Sequence, residues 1–284
     1  MAATAERAPK RLAYGGAMTD SEPWRGDAAP RVNALLAPNP GPMTLDGTNT
    51  WVLGDSSSDA VAVVDPGPRD EGHLKAVLDH VESLGSRVGL TLLTHSHLDH
   101  TEAAQRWAEL TGAPVRGAGI GDPLHDGEQL AVGGVDIRVV HTPGHTADSI
   151  SFHLPDDGVL LTGDMVLGRG TSVVAYPDGE VGAYLNSLQR MAALAPVDVI
   201  APGHGPVVTE PAALLEHYRD HRRRRLDQVA ACLDDGAQQA GSTEDVVEAV
   251  VQKVYADVPQ DVWPAARLTV RAQIEYLRTF GEPA

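Results

Sequence analysis

The stretch of residues 94–100, Thr-His-Ser-His-Leu-Asp-His, constrains this chain more than any other feature of its sequence. It places three imidazoles and one carboxylate within six residues, directly after the apolar run 88–93, which predicts a buried strand. Because side chains alternate along a strand, His95 and His97 are expected on one side, and the next helix is expected to begin near Thr101. The metal-binding groups would then lie at the carboxyl end of one strand, where open α/β folds place their sites. Imidazole and carboxylate are ligands that suit zinc and similar divalent ions.

Length, charge and cysteine content limit the classes of protein to which the chain can belong. Its 284 residues suffice for one large domain and a small second one, and no apolar run approaches the ~20 residues of a membrane-spanning helix. The amino terminus has no apolar segment like that of a signal peptide, so we expect a cytoplasmic protein without a membrane partner. The net charge of −17 weighs against broad affinity for nucleic acid. Cys232 is the single cysteine, so no disulfide can form within the chain.

Hydrophobic periodicity divides the chain into three parts. Residues 1–28 are rich in Ala, Gly, Pro and charge without periodicity, which predicts a flexible tail. Residues 29–210 contain short apolar runs and amphipathic segments, which predict the strands and helices of an α/β (α+β) domain. Residues 211–284 carry three helical segments and predict a small helical carboxyl-terminal domain. Periodicity alone indicates mixed α and β structure and no more specific fold.

The motif His-x-His-x-Asp-His resembles the signature of the metallo-β-lactamase fold. Further residues that match this family's ligand set follow it in the expected order. The resemblance implies a four-layer αββα sandwich with two metal sites and one aspartate that bridges them. It assigns to the first metal His95, His97 and His145. It assigns to the second metal Asp99, His100 and His204, with Asp164 as the bridge and Asp65 as a nearby supporting residue.

Seven ligands exceed the roughly four that a single zinc ion uses, so this set calls for two divalent metal ions. We expect Zn²⁺, and Mn²⁺ or Fe²⁺ stay open because imidazole and carboxylate also accept them. Two ions ~3.5–4 Å apart can hold a hydroxide that attacks an electrophilic carbon or phosphorus. Asp99 and Asp164 are the expected catalytic residues. Asp164 would act as the bridge, and Asp99 would orient the hydroxide or pass a proton to the leaving group.

Other segments resemble the β-lactamase-like protein 2 family, and this resemblance covers roughly residues 38–284. The segments are 39–50, 168–172, 184–188 and 202–206. The family includes single-strand-selective endoribonucleases, and the resemblance implies that the helical carboxyl-terminal domain is winged-helix-like. We expect the loops around the metal strands to select the substrate, with Asn49, Thr171 and Ser172 as substrate-binding residues.

The sequence therefore predicts a metal-dependent hydrolase that cleaves an ester, thioester, amide or phosphodiester, and it leaves the substrate open. The expected partner is a small molecule or a short single-stranded RNA, with an endoribonuclease and a glyoxalase II-like thioester hydrolase as alternatives. An alternative of another class is a nucleic-acid-binding protein whose metal site is structural. The arginine run 222–225 could bind phosphate, but consecutive arginines point all round a helix and favour a solvated face. The helical domain is expected to cover one side of the active site or to support a homodimer.

Overall fold

Two five-stranded β-sheets form the centre of the protein in a computed structural model that describes residues 26–234 and 241–281. The first sheet has the order β1 (Val32–Leu36), β2 (Asn49–Leu53), β3 (Ala60–Val64), β4 (Arg87–Leu92) and β5 (Val115–Arg116). The second sheet has the order β10 (Val199–Pro202), β9 (Val159–Gly163), β8 (Ile150–Leu154), β7 (Val135–His141) and β6 (Gln129–Val132). Strands β3 to β5 are parallel, as are β9 and β10, and the other neighbours are antiparallel. Strands β3 and β4 therefore end at one edge of the first sheet, and β7, β9 and β10 end at one edge of the second.

The two sheets pack face to face, and alternation along their strands explains the layering. Ala62 and Val64 of β3 belong to the core between the sheets, whereas Val61 and Val63 belong to a core on the outer face. Residues of the second sheet, such as Phe152 and Leu161, complete the inner core. Successive side chains of a strand point to opposite faces, so each sheet buries one face against its partner and the other against helices.

Helices cover both outer faces of the sandwich. The first sheet is covered by α1 (Glu71–Ser83) and α3 (Ala104–Thr111), whose Leu74, Val77 and Trp107 pack against it. The second sheet is covered by α4 (Val181–Ala192) and α5 (Pro211–Asp234). The four-layer αββα arrangement implied by the family resemblance is confirmed.

The turn that follows β4 differs from its predicted form. We expected one helix from about Thr101, but the chain forms a short helix α2 (Leu98–Thr101) and then a separate α3. Long-range hydrogen bonds explain the interruption, because the Gly67 N–H donates to the His100 carbonyl and the Ala103 N–H donates to the Gly67 carbonyl. The turn that carries Asp99 and His100 is thereby fixed to the loop after β3.

The carboxyl-terminal helices have a core of their own. The second half of α5 packs with α6 (Thr243–Val254) and α7 (Trp263–Phe280), and Cys232 is buried there. The first half of α5 belongs instead to the core under the second sheet, so this helix joins the two units. Between residues 211 and 281, the described part of the chain contains helices and no strand. The predicted tail 1–28 lies outside the described residues except for 26–28.

Within the described ranges, none of the helices combines the length and the apolar character that crossing a membrane requires.

Candidate metal centre

Every ligand predicted from the sequence lies in one of two adjoining groups. The first group contains His95, His97, His145 and Asp164. The second group contains Asp99, His100 and His204. In each group the potential ligand atoms all lie within 4.8 Å of one another. The fold thus brings together residues that are up to about a hundred positions apart in the sequence.

Strand ends explain this convergence. His95 and His97 follow β4, and α2 then carries Asp99 and His100. The other three ligands follow β7, β9 and β10, which end at a common edge. Each strand is paired within its sheet, and each ligand lies only a few residues beyond it, so little conformational freedom separates the ligands.

The spacing in the first group fits a common ion. His97 Nδ1 lies 3.0 Å from His95 Nε2 and 3.1 Å from His145 Nε2. Ligands at 2.0–2.1 Å from a tetrahedral zinc ion would lie about 3.3 Å apart, so these nitrogens are spaced as they would be around one ion. His97 is exposed, unlike the other residues of this group, and it opens this side of the centre to solvent.

The second group contains no exposed residue, and Asp164 lies between the two groups. His204 Nε2 is 3.3 Å from His100 Nε2 and 3.1 Å from Asp99 Oδ2. Asp164 Oδ1 lies 3.4 Å from His100 Nε2, and its Oδ2 lies 3.3 Å from His204 Nε2 and 3.8 Å from His145 Nε2. A carboxylate in this position contacts ligand atoms of both groups.

The outward nitrogens of three ligand imidazoles are held by oxygen acceptors. His145 Nδ1 donates to the Val173 carbonyl at 2.6 Å, and His204 Nδ1 donates to the Gly47 carbonyl at 3.0 Å. His100 Nδ1 donates to Asp65 Oδ2 at 2.8 Å. A carbonyl or carboxylate oxygen can only accept, so the outward nitrogen must carry the proton and Nε2 is left as the inward ligand.

Asp65 supports two ligands at once, in the place that the family resemblance gave it. Its carboxylate accepts from the Thr94 N–H at 2.8 Å, from the Thr94 hydroxyl at 2.7 Å and from His100. The Thr94 hydroxyl oxygen lies 3.0 Å from His95 Nδ1. Because its own proton goes to Asp65, this oxygen accepts a hydrogen bond from His95 Nδ1–H. Asp65 itself has a φ of 51°, a left-handed conformation that a non-glycine residue rarely adopts. The surrounding hydrogen bonds stabilise that conformation.

The carboxylates favour positive charge at the centre. Burial alone would lower the pKa of His100, yet the carboxylates of Asp65 and Asp164 raise it well above its ordinary value. Burial likewise opposes protonation of His204, but Asp164 raises the pKa of that imidazole to about 9. Burial would raise the pKa of Asp164, and His204 and His100 hold it well below its usual range instead. A cation at this position would satisfy the same carboxylates, so the donor set fits divalent metal ions.

The three predicted substrate-binding residues have different positions. Asn49 is fully buried, and its amide donates to the carbonyls of Pro202 and Gly205 at 3.0 and 2.9 Å. These two bonds support the loop that carries His204, and a substrate contact of Asn49 stays a prediction. Thr171 and Ser172 both line a cleft beside the metal centre.

That cleft has a volume of about 340 Å³ and reaches His145 and Asp164. One side comes from the loops of the sandwich, including Met43, Leu45 and Leu167. The opposite side, here called the helical wall, comes from the carboxyl-terminal helices. The residues of the helical wall are His221, Arg222, Arg225, Tyr255, Val258, Val262, Ala265, Ala266 and Thr269.

The helical wall corrects the interpretation of the arginine run. Arg222 is only 3% exposed, and its Nη2 donates to the Ser172 carbonyl at 2.9 Å, so it does not lie on a solvated face. Arg223 and Arg224 are exposed, as predicted. Sequence reasoning missed the cleft-lining residues of α7 entirely, because their small apolar side chains form no motif.

Comparison with known proteins agrees with this geometry. The model of the Metallo-beta-lactamase superfamily matches residues 43–126 and 114–204, and the model of the Beta-lactamase associated winged helix domain matches residues 247–281. An atrochrysone carboxyl ACP thioesterase from Aspergillus chevalieri is 36% identical, over 82% of this chain and 76% of that protein. A beta-lactamase-like protein 2 homolog from Drosophila melanogaster is 32% identical, over 87% of this chain and 88% of that protein.

A solved structure shows the same fold. The beta-lactamase domain protein from Burkholderia ambifaria has a TM-score of 0.76 and 24% sequence identity, over 93% of this chain and 92% of that chain. With the αββα sandwich and the two ligand groups at its edge, these similarities show that the chain belongs to the metallo-beta-lactamase superfamily and is a metal-dependent hydrolase.

Proposed function

We propose that the protein hydrolyses acyl thioesters with two zinc ions. The observation that carries the proposal is the largely apolar cleft between the sandwich and the helical wall, which leads to His145 and Asp164. An acyl chain would bind in this cleft, and its thioester carbonyl would lie at the metal centre.

The ligand groups support the number of ions. Histidines dominate both groups, and each group offers three or four donors, which is the number that a zinc ion uses in a protein site. Two such ions, held by these residues, would supply a hydroxide nucleophile at neutral pH and would polarise the scissile carbonyl. The exposed His97 and the adjoining cleft support a catalytic role, because structural zinc sites are closed by protein ligands.

The aspartates of the centre have different tasks. Asp164 is buried between the two groups and would hold them at a fixed separation. The side chain of Asp99 is 28% exposed, and its Oδ2 lies 3.5 Å from the Thr48 hydroxyl and 3.1 Å from His204 Nε2. Asp99 can therefore accept a proton from the nucleophile and release it to the departing thiol.

The apolar surface favours an acyl group over a polymer. Small ligands bury most of their surface in pockets of about 300–1,000 Å³, and this cleft lies near the lower end of that range. Met43, Leu45, Leu167, Val262 and Ala266 provide apolar contacts for an acyl chain. The similarity to an acyl-carrier-protein thioesterase is consistent with such a substrate.

The charges near the cleft weigh against RNA, the other substrate that the sequence suggested. Arg169 is paired with Asp46, and Arg225 lies 3.5 Å from Asp257. The exposed Arg223 and Arg224 do not line the cleft. A chain with a net charge of −17 would need a continuous basic path to hold a polyanion, and two of the three cleft-lining arginines have acidic partners.

A panel assay tests the proposal. Thioesters of N-acetylcysteamine, short single-stranded RNA, bis-p-nitrophenyl phosphate, S-lactoylglutathione, a lactone and nitrocefin are compared with wild-type protein and with Asp164→Ala. We expect acyl thioesters to be cleaved fastest, and we expect the cleavage to disappear in Asp164→Ala but not in the exposed control Asp122→Ala. Preferential cleavage of RNA would replace this proposal with the endoribonuclease.

Elemental analysis tests the number and identity of the metals separately. Protein purified without added metal should contain two equivalents of zinc per chain, and Asp164→Ala should contain fewer. One equivalent in fully active protein would contradict the dinuclear site, and two equivalents of manganese or iron would contradict zinc.

A further inference from the structure

A buried arginine without a carboxylate partner lies in the helical wall. Arg222 is only 3% exposed, and within residues 26–234 and 241–281 it forms no ion pair. Its Nε is buried and has no hydrogen-bond partner there. The guanidinium carbon lies 4.7 Å from the centre of the Tyr184 ring, and Nη2 donates to the Ser172 carbonyl.

These contacts compensate the charge of Arg222 only in part. A buried ion loses its hydration, and stable proteins pair such an ion with an opposite charge. A ring face and one carbonyl are weaker partners than a carboxylate, which can accept two parallel hydrogen bonds from a guanidinium. The other cleft-lining arginines do have acidic partners, so Arg222 differs from its neighbours.

The neighbouring residue indicates that positive potential extends along this part of α5. Burial, followed by the charges of Arg222 and Arg225, lowers the pKa of His221 to about 4. The Nδ1 atom of His221 is also buried without a partner among the described residues. Two unsatisfied polar atoms and an uncompensated cation therefore adjoin the same cleft.

We propose that Arg222 binds a carboxylate at the far end of the acyl group, so that the protein selects thioesters of short dicarboxylic acids. This inference rests on the proposed thioesterase function. A single uncompensated cation matches a monoanion better than a phosphate, which carries about −1.5 to −2 at pH 7. The volume of the cleft, about 340 Å³, limits the acyl group to a short chain.

The position of Arg222 relative to the metal ligands is fixed. Its partner Ser172 donates its hydroxyl to the Asp164 carbonyl, and the same hydroxyl lies 3.4 Å from His145 Nδ1. A carboxylate held by Arg222 would therefore set the distance of the thioester from the centre. Arg222 would then determine specificity through contact with the substrate rather than take part in bond cleavage.

Paired substrates test the inference in the zinc-loaded protein. Glutaryl and valeryl thioesters of N-acetylcysteamine have acyl chains of equal length and differ in the terminal carboxylate. We expect wild-type kcat/KM to favour the glutaryl thioester by roughly tenfold to a hundredfold, the range for hydrogen bonds to a charged group. Arg222→Gln should remove this preference, Arg222→Lys should retain part of it, and the exposed control Arg223→Gln should leave it unchanged.

The alternative is that Arg222 only supports the Ser172 loop. Arg222→Gln would then slow both substrates equally, and the ratio of their kcat/KM values would not change. That outcome overturns the inference. A wild-type protein that cleaves both thioesters equally also overturns it, whether or not the variants fold.

Binding measurements separate this inference from the proposed function. The affinities of glutaramate and the uncharged glutaramide are measured by titration calorimetry, a readout that needs no turnover. Glutaramate should bind more tightly than glutaramide, and Arg222→Gln should lose the difference. That result supports the anion site even if no thioester is cleaved. Equal binding of the two compounds, or tighter Arg222-dependent binding of propyl phosphate, contradicts the carboxylate assignment.

Discussion

The metal centre and the helical wall face each other across one cleft, yet they are built in different ways. Behind the metal centre, Asp65 holds His100 directly and His95 through Thr94. In the helical wall, Arg222 and His221 leave buried polar atoms without partners among the described residues. The polar groups behind the metal ligands are satisfied and therefore pre-organised, whereas buried atoms without a partner, such as Asp164 Oδ1 at the centre and Arg222 Nε in the helical wall, can accept a ligand. On the proposed function, the sheet edges would fix the chemistry and the helices would select the substrate.

Removing the support behind the metal centre should have the largest effect. Asp65→Asn keeps the size of the side chain but removes one of its two acceptors, so the Thr94 N–H, which donates to Oδ1, and His100, which donates to Oδ2, can no longer both be satisfied. Loss of such an outer partner typically lowers metal affinity or activity by about 10–100-fold. Zinc affinity and kcat measured together should fall in Asp65→Asn.

Asp70→Asn is a matched control on the same loop. The Asp70 carboxylate caps α1 by accepting from the His73 N–H, and it contacts no metal ligand. Asp70→Asn should change stability slightly and leave zinc affinity intact. Equal zinc loss in both variants would show that the whole loop, rather than the Asp65 carboxylate, supports the centre.

A pH titration probes the layer behind Asp65. The Thr50 hydroxyl donates to the Asp65 carbonyl and lies 2.8 Å from His73 Nε2, and burial lowers the pKa of His73 to about 4. The unfolded imidazole has a pKa near 6.5, so the unfolded chain takes up the proton first as the pH falls. The stabilisation that neutral His73 contributes is complete above about pH 6.5 and is lost as the pH falls toward 4. At pH 5 the free energy of unfolding is lower by about 2 kcal/mol.

The measurement is the free energy of unfolding in urea at pH 7.5 and pH 5. The pKa of His221 is also lowered to about 4, so the result is the difference between wild type and His73→Gln at each pH. That difference should shrink by about 2 kcal/mol on acidification. A difference that is independent of pH would show that His73 does not titrate in this window.

Much of the metal centre was predictable because its signal is local or ordered along the chain. His95, His97, Asp99 and His100 form one motif, and the later ligands were found through the family resemblance, which gives their order along the chain. The burial of Arg222 was not predictable, because helical periodicity does not reveal which side of α5 meets the Ser172 loop. The break between α2 and α3 depends on hydrogen bonds to Gly67, more than thirty residues earlier, which no local pattern records.

Loosening the helical wall should leave the metal centre intact. Val250 is fully buried in the core of the carboxyl-terminal helices, and Val250→Ala removes apolar contacts worth between about 1 and 2 kcal/mol. We expect two equivalents of zinc and a raised KM for the thioester, with little change in kcat. Val63→Ala, in the core behind the first sheet, is the matched variant and should not raise KM selectively. Zinc loss in Val250→Ala would contradict the division of tasks between the two regions.

The smallest effect is expected where the arginine run faces solvent. Arg223 and Arg224 are exposed and do not line the cleft, so the double variant Arg223→Ala/Arg224→Ala removes two charges without removing a substrate contact. Exposed substitutions of this kind usually change stability by no more than about 0.5 kcal/mol, and screening at physiological salt limits the reach of surface charges to about 8 Å. Stability and kcat/KM for the glutaryl thioester should therefore equal those of wild type, in contrast to Arg222→Gln. If the double variant instead lost cleavage of single-stranded RNA, with a weaker dependence on salt concentration, these arginines would be part of an RNA-binding path and the helical wall would extend beyond the cleft.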